Sequence, residues 1–253
     1  MNDIRQIRLV AEGLWLVQSP RLHSVTTDAV LLAAFAKIPR GKPVADLGCG
    51  NGPLGILLLA RTDRPAQVVG VDILPEACAL ARESARLSGC AATYQIAEGD
   101  YCQPLPQLPA GRFGLVVCNP PYFEPDGQQL ALSPQRAGAR HETTADLAAT
   151  IAAAYRLLSY RGRLAMCLPP ARLGEACYQL EKNCCHLKRL QLVHPRVGQM
   201  ASLCLLEGVR GSKPGAEILP PLFLHGADNS YTPEALEYYG RFSASPEQDA
   251  ETV

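Results

Sequence analysis

Two short segments of the chain carry residue types that do chemistry. The first is Asp46-Leu-Gly-Cys-Gly-Asn-Gly52, followed by a carboxylate at Asp72, 22 residues past Gly50, and by another at Asp100. The second is Asn119-Pro120-Pro121-Tyr122, with Phe123 behind it. Glycines at alternate positions let a backbone turn tightly and let a ligand approach the main chain closely. A carboxylate about 20 residues beyond such a loop can accept hydrogen bonds from ribose hydroxyls. The first segment therefore reads as a site for a nucleotide-like ligand. The plainer reading is a tight turn with capping aspartates.

Two cofactor classes fit the loop. Dinucleotides use G-x-G-x-x-G, with a pyrophosphate over the following helix N-terminus. Here the spacing is G-x-G-x-G, with Asp46 just before it. A carboxylate there repels a pyrophosphate and suits a ligand that carries an ammonium and a sulfonium. S-adenosylmethionine is such a ligand, with S-adenosylhomocysteine as its product. Asp100 is placed to accept a hydrogen bond from the adenine amine.

The second segment suits transfer to an exocyclic amine. The lone pair of such a nitrogen is delocalised, so the nitrogen is a poor nucleophile. An acceptor on each N–H draws it toward a tetrahedral shape and localises the lone pair. The Asn119 side-chain oxygen and the Pro120 carbonyl are candidates, held because proline fixes φ. Tyr122 can stack on a planar substrate. Proximity and preorganised dipoles then carry the rate, and no strong base is needed. A strand stopped by X-Pro explains the prolines but not the whole tetrad.

These residues need a scaffold, and the hydrophobic pattern supplies one. Apolar runs at 44–47, 67–72, 93–97, 113–119 and 163–168 alternate with helical patterns at 54–61, 75–88, 146–158 and 173–184. Such alternation predicts an α/β fold with a parallel sheet covered on both faces. Runs at 187–193 and 201–209 leave no room for a crossover helix, so they should pair antiparallel. The expectation is a Rossmann-like, mostly parallel seven-stranded sheet with one antiparallel strand. Residues 1–42 read as an extension with a hairpin (5–9, 14–17) and a helix at 27–35. Residues 43–242 form the domain that holds both chemical segments. The acidic tail 243–253 reads as disordered.

The chain of 253 residues is 47% apolar and carries 24 basic and 24 acidic side chains, so a polybasic coat is excluded. The balance hides an asymmetry: residues 151–215 hold ten basic and three acidic side chains. The longest apolar run, residues 29–36, is far short of the roughly 20 residues a membrane span needs. No secretory pattern precedes it. The ten cysteines include no C-x-x-C pair, and the histidines have no metal-ligand spacing. No metal is expected, and the cysteines read as small core residues in a reducing cytoplasm.

On these motifs the chain resembles the class I S-adenosylmethionine-dependent amino-methyltransferases. More narrowly, it is similar to the bacterial tRNA-valine adenine-N6 methyltransferases that act at position 37. The resemblance spans about residues 20–240. It rests on Ser24-Val-Thr-Thr-Asp-Ala-Val-Leu-Leu32, the Gly loop, Val71-Asp72, Gly99-Asp100, the tetrad, Ala139-Arg-His-Glu142 and Leu224-His-Gly-Ala-Asp-Asn-Ser-Tyr-Thr232. Pro53 departs from the small or aliphatic residue common there, but a proline is tolerated in a first helical turn. The resemblance implies that Asp46, Gly48, Gly50, Asp72, Asp100 and Asn119 touch the cofactor or its methyl acceptor. It also implies that Thr27 and Asp28 close over the methionine end, where simple helix capping is the equal alternative. It implies a tRNA partner, on which Tyr122 would stack; Arg136, Arg140 and His141, just past the tetrad, are charged candidates to meet its backbone. Other readings remain at this point: a glutamine methyltransferase of release factors, a guanine-N2 methyltransferase of ribosomal RNA, a nicotinamide-dependent oxidoreductase, or a non-catalytic nucleotide-binding domain. Oligomeric state has no sequence signal.

Overall fold

The computed structural model describes residues 5–19, 27–120 and 147–242. The tail 243–253 lies outside them. A hairpin of β1 (Arg5–Arg8) and β2 (Trp15–Gln18) precedes α1 (Thr27–Phe35). Then come β3 (Val44–Leu47), α2 (Pro53–Leu59), β4 (Val68–Asp72), α3 (Pro75–Leu87), β5 (Tyr94–Glu98) and β6 (Phe113–Cys118). The second half holds α4 (Leu147–Leu157), β7 (Leu158–Leu168), α5 (Leu173–Lys182), β8 (Cys185–His194) and β9 (Leu203–Arg210). Two short strands, β10 (Glu217–Ile218) and β11 (Leu222–Phe223), and a helix α6 (Pro233–Tyr239) follow.

The seven long strands lie in the order β5-β4-β3-β6-β7-β9-β8. All neighbours are parallel except β9, which runs antiparallel to both β7 and β8. That is the sheet the alternating pattern predicts. The described sheet has nine strands, because β10 and β11 both pair with the outer edge of β8. At two residues each, they are too short to show a period.

Strands β3 and β6 are buried throughout, as continuous apolar runs should be when helices cover both faces. One core joins α1, α2 and the hairpin leucines to Val44, Leu115, Val117, Ala165, Cys167 and Leu205. The other joins α4 and α5 to Leu47, Val71, Val116, Met166 and Leu206. The hairpin is tied down by polar contacts. Ser84 of α3 and Ser88, which caps it, accept from the amides of Val17 and Trp15. The Asn51 amide group donates to the Val17 carbonyl at 2.8 Å, so the hairpin braces the Gly loop. Arg61 is buried and donates to the carbonyls of Ala33 and Ala36 at the end of α1.

Candidate active site

The Gly loop leaves β3 and enters α2, whose first residue is Pro53. Gly48, Gly50 and Gly52 have φ of 69°, 55° and 92°, a region that other residues enter at a cost. Space is open where a Cβ would stand on Gly48 and Gly50, so backbone geometry demands these glycines and leaves the loop accessible to a ligand. The loop is pinned from the next strand. The amides of Gly48 and Cys49 donate to the Val71 carbonyl. The Gly50 amide donates to Asp72 Oδ2 at 2.8 Å, and Leu74 donates to Oδ1 at 2.9 Å.

Asp72 is also linked to the next strand end. Its carbonyl accepts from Gly99 at 2.9 Å, and Asp100 Oδ1 accepts from the Cys102 amide at 2.8 Å. Gly50, Asp72 and Asp100 are therefore brought to one edge, the C-terminal ends of β3, β4 and β5. Asp72 and Asp100 are half-buried. Each oxygen that holds a backbone amide keeps a second lone pair for a ligand.

Asp46 is placed differently. It lies beneath the loop, 1% exposed, where the Tyr94 hydroxyl donates to Oδ2 at 3.0 Å and the Gly55 backbone also bonds it. Burial pushes its carboxyl up to about 7, with the Asp72 charge adding to the rise and the two hydrogen bonds opposing it. The Tyr94 ring reaches it only because Gly55 and Gly70 lack side chains. A Cβ on Gly55 would stand 2.2 Å from that ring, and one on Gly70 2.9 Å. The sequence reading missed Tyr94; a glycine inside the apolar helical run 54–59 was the available signal of a close approach.

Asn119 and Pro120 follow β6. Because β3 and β6 are parallel with Leu47 beside Cys118, Gly48 and Asn119 leave the sheet side by side. The Cys167 thiol on β7, fully buried, donates to Asn119 Oδ1 at 3.0 Å. Thr27 and Asp28 open α1, and the Thr27 side chain is hydrogen-bonded to the Tyr239 hydroxyl of α6. Tyr239 continues into a tilted stack with Tyr231 and His225, at centroid distances of 5.1 and 4.7 Å. From sequence, Cys167 reads only as a core cysteine, and His225 and Tyr231 stand within segment 224–232 without a role; the sequence reading missed Tyr239. Tyr122, Arg136, Arg140 and His141 lie outside the described residues. Among the described residues no group of His, Cys, Asp or Glu is arranged to hold a metal.

The family model described as "Methyltransferase small domain" matches residues 25–168. The chain belongs to the methyltransferase small-domain family. That membership makes it a methyltransferase and removes the oxidoreductase and non-catalytic readings of the Gly loop. The methyltransferase is 31% identical over 210 residues to the tRNA1(Val) (adenine(37)-N6)-methyltransferase of Cronobacter sakazakii, covering 83% of each chain. It is 30% identical to the protein of that name from Tolumonas auensis, covering 87% of this chain and 91% of the relative. Among solved structures it superposes on a predicted O-methyltransferase from Agrobacterium tumefaciens with TM-score 0.69 at 24% identity. That superposition covers 86% of this chain and 98% of the other. The likeness establishes the class I methyltransferase fold.

Proposed function

We propose that this methyltransferase uses S-adenosylmethionine to methylate N6 of an adenosine in tRNA, at position 37 beside the anticodon. The observation that carries the reading is the parallel pairing that sets Asn119 next to the Gly loop. A carboxamide acceptor and a ligand-accessible glycine turn thus share one strand edge. S-adenosylmethionine supplies a methyl group made electrophilic by its sulfonium. Asp72 accepts from the ribose hydroxyls and Asp100 from the adenine amine, each with the lone pairs its backbone contact leaves open. Asn119 Oδ1 and the Pro120 carbonyl accept the two N–H bonds of the target amine, and Tyr122 stacks on its ring. The methylated nitrogen, cationic after transfer, loses its proton to solvent. All ten cysteines are free, which supports a cytoplasmic setting, and no described helix is long and apolar enough to cross a membrane.

The relatives' names favour tRNA over a release factor, whose glutamine carboxamide presents similar N–H geometry. Transfer of labelled methyl to total tRNA, followed by nucleoside analysis, tests the reading. N6-methyladenosine is the expected product. Methylglutamine in a release factor with unlabelled tRNA would replace this reading with the glutamine one.

A further inference from the structure

A second charged surface lies at the other end of the same sheet. A cavity of about 300 Å³ is lined by Lys37, Arg161, Arg163, Lys188, Arg189 and Glu217, with Val209 and Ser212 completing the wall. Arg163 of β7 pairs with Leu115 just past a register shift, and Lys188 and Arg189 lie in the first half of β8. The cavity therefore belongs to the N-terminal ends of these strands, beneath the C-terminus of α1. Its floor is organised by Glu207, which is fully buried. Glu207 accepts from Arg163 Nη1 at 2.5 Å, from the Lys37 amide at 3.2 Å and from Arg189 Nη1 at 3.5 Å. Arg189 is further fixed over the Phe35 ring, 4.3 Å from its centroid, and donates to the Phe35 carbonyl.

Five cations thus face two carboxylates, Glu207 and Glu217. Among the described residues no acidic side chain pairs with Lys37, Arg161 or Lys188. Like charges gathered in a concave site repel unless an anion joins them. Backbone conformation adds a second observation. Arg161 has φ 64°, although Gly162, free to adopt that angle, is its neighbour. A left-handed non-glycine residue costs stability and persists where something else holds it, as at ligand clamps.

We propose that this cavity holds a backbone phosphate of the RNA substrate, remote from the site of methyl transfer. The proposal rests on the tRNA reading above and adds to it a second anchoring point. Five cations on three segments suit a polyanion better than a single small ion. Arg163 and Leu168 are five residues apart on β7, about 17 Å at roughly 3.4 Å per residue. A folded RNA carries a phosphate at every nucleotide, so one molecule can present a base at one end and a phosphate at the other. Phosphate contacts fix register and orientation, which an enzyme acting on a single base requires.

The test uses the full chain with Arg161→Gly and Lys188→Ala. Binding of tRNA is measured between about 50 and 200 mM salt, beside calorimetric titration of S-adenosylmethionine. Each variant should weaken tRNA binding about 3- to 10-fold and reduce the slope of log affinity against log salt by about one. Cofactor affinity should be unchanged. Arg161→Gly should melt no lower than the parent, because glycine removes the left-handed strain, so its weaker binding is separated from unfolding. Parental affinity and slope in both variants would overturn the proposal. Inorganic phosphate forms the second arm. If it stabilises the parent but neither variant, while tRNA binding is unmoved, the cavity takes a free phosphate and the RNA assignment is wrong. A parent that neither binds nor methylates tRNA overturns the underlying tRNA reading instead, whatever the phosphate arm gives.

Discussion

The two ends of the central sheet differ in sign and in how their charges are held. At the C-terminal ends, Asp46, Asp72 and Asp100 each accept hydrogen bonds from groups fixed by the fold. At the N-terminal ends, three of five cations have no acidic partner among the described residues. A chain of zero net charge thereby presents an acidic rim where a sulfonium cofactor is proposed and a basic cavity where a polyanion is proposed. One strand, β7, serves both ends: Arg163 faces the cavity and Cys167 holds Asn119. The difference teaches that net charge reports little about partners here; the placement of charge along the strand axis is the informative quantity.

The contrast breaks most sharply at Asn119. Asn119→Ala should lower methyl transfer by about 10²-fold or more, the scale of one lost oxyanion-hole donor taken as an analogy. Cofactor affinity should stay at the parental value. Single-turnover transfer beside calorimetry checks this, and near-parental turnover would remove Asn119 from the chemistry. Asp72→Ala comes next. It should weaken S-adenosylmethionine binding by about 1–3 kcal/mol, the range for hydrogen bonds to charged groups, while leaving tRNA affinity unchanged. Binding as tight as the parent's would show that Asp72 serves only to pin Gly50 and Leu74.

The smallest effect concerns pH. The Asp46 carboxyl is raised from 3.8 to about 7 in the folded chain. Its contribution to stability is therefore fully present below about pH 4 and is lost as pH rises through about 7. A cationic cofactor favours the ionised form, so its binding should expel a proton there. Affinity for S-adenosylmethionine should rise between pH 6 and 8 by no more than about tenfold per unit, and the neutral thioether product should show a weaker trend. Asp46→Asn should flatten both profiles. A parent whose affinity is level across this range would separate Asp46 from cofactor binding.

Much of this architecture is legible in sequence because it is local. The Gly loop, the strand-end carboxylates and the alternating apolar runs each occupy a few consecutive residues, and the seven long strands follow from them. What escaped depends on pairs far apart in the chain. Tyr94 meets Asp46 across 48 positions, through space that exists only because Gly55 and Gly70 are small. Glu207 reads as an acid stranded in an apolar strand until Arg163 and Arg189 arrive from two other strands. Helix α6 was legible but passed over. Thr232 caps it by accepting from the Ala235 amide, and Pro233 follows at the first helical position, a start signal in four residues.

The outer border of β8 has one more consequence. It is covered by β10 and β11, and between them stand Leu219, Pro220 and Pro221. An exposed strand edge is a template on which another molecule can add its own strand. Here the outermost strand is broken in two, and its midpoint holds two residues that have no N–H to offer. The sheet ends in a segment on which no continuous ladder can grow. The same stretch that completes the fold blunts this border as a template for an added strand.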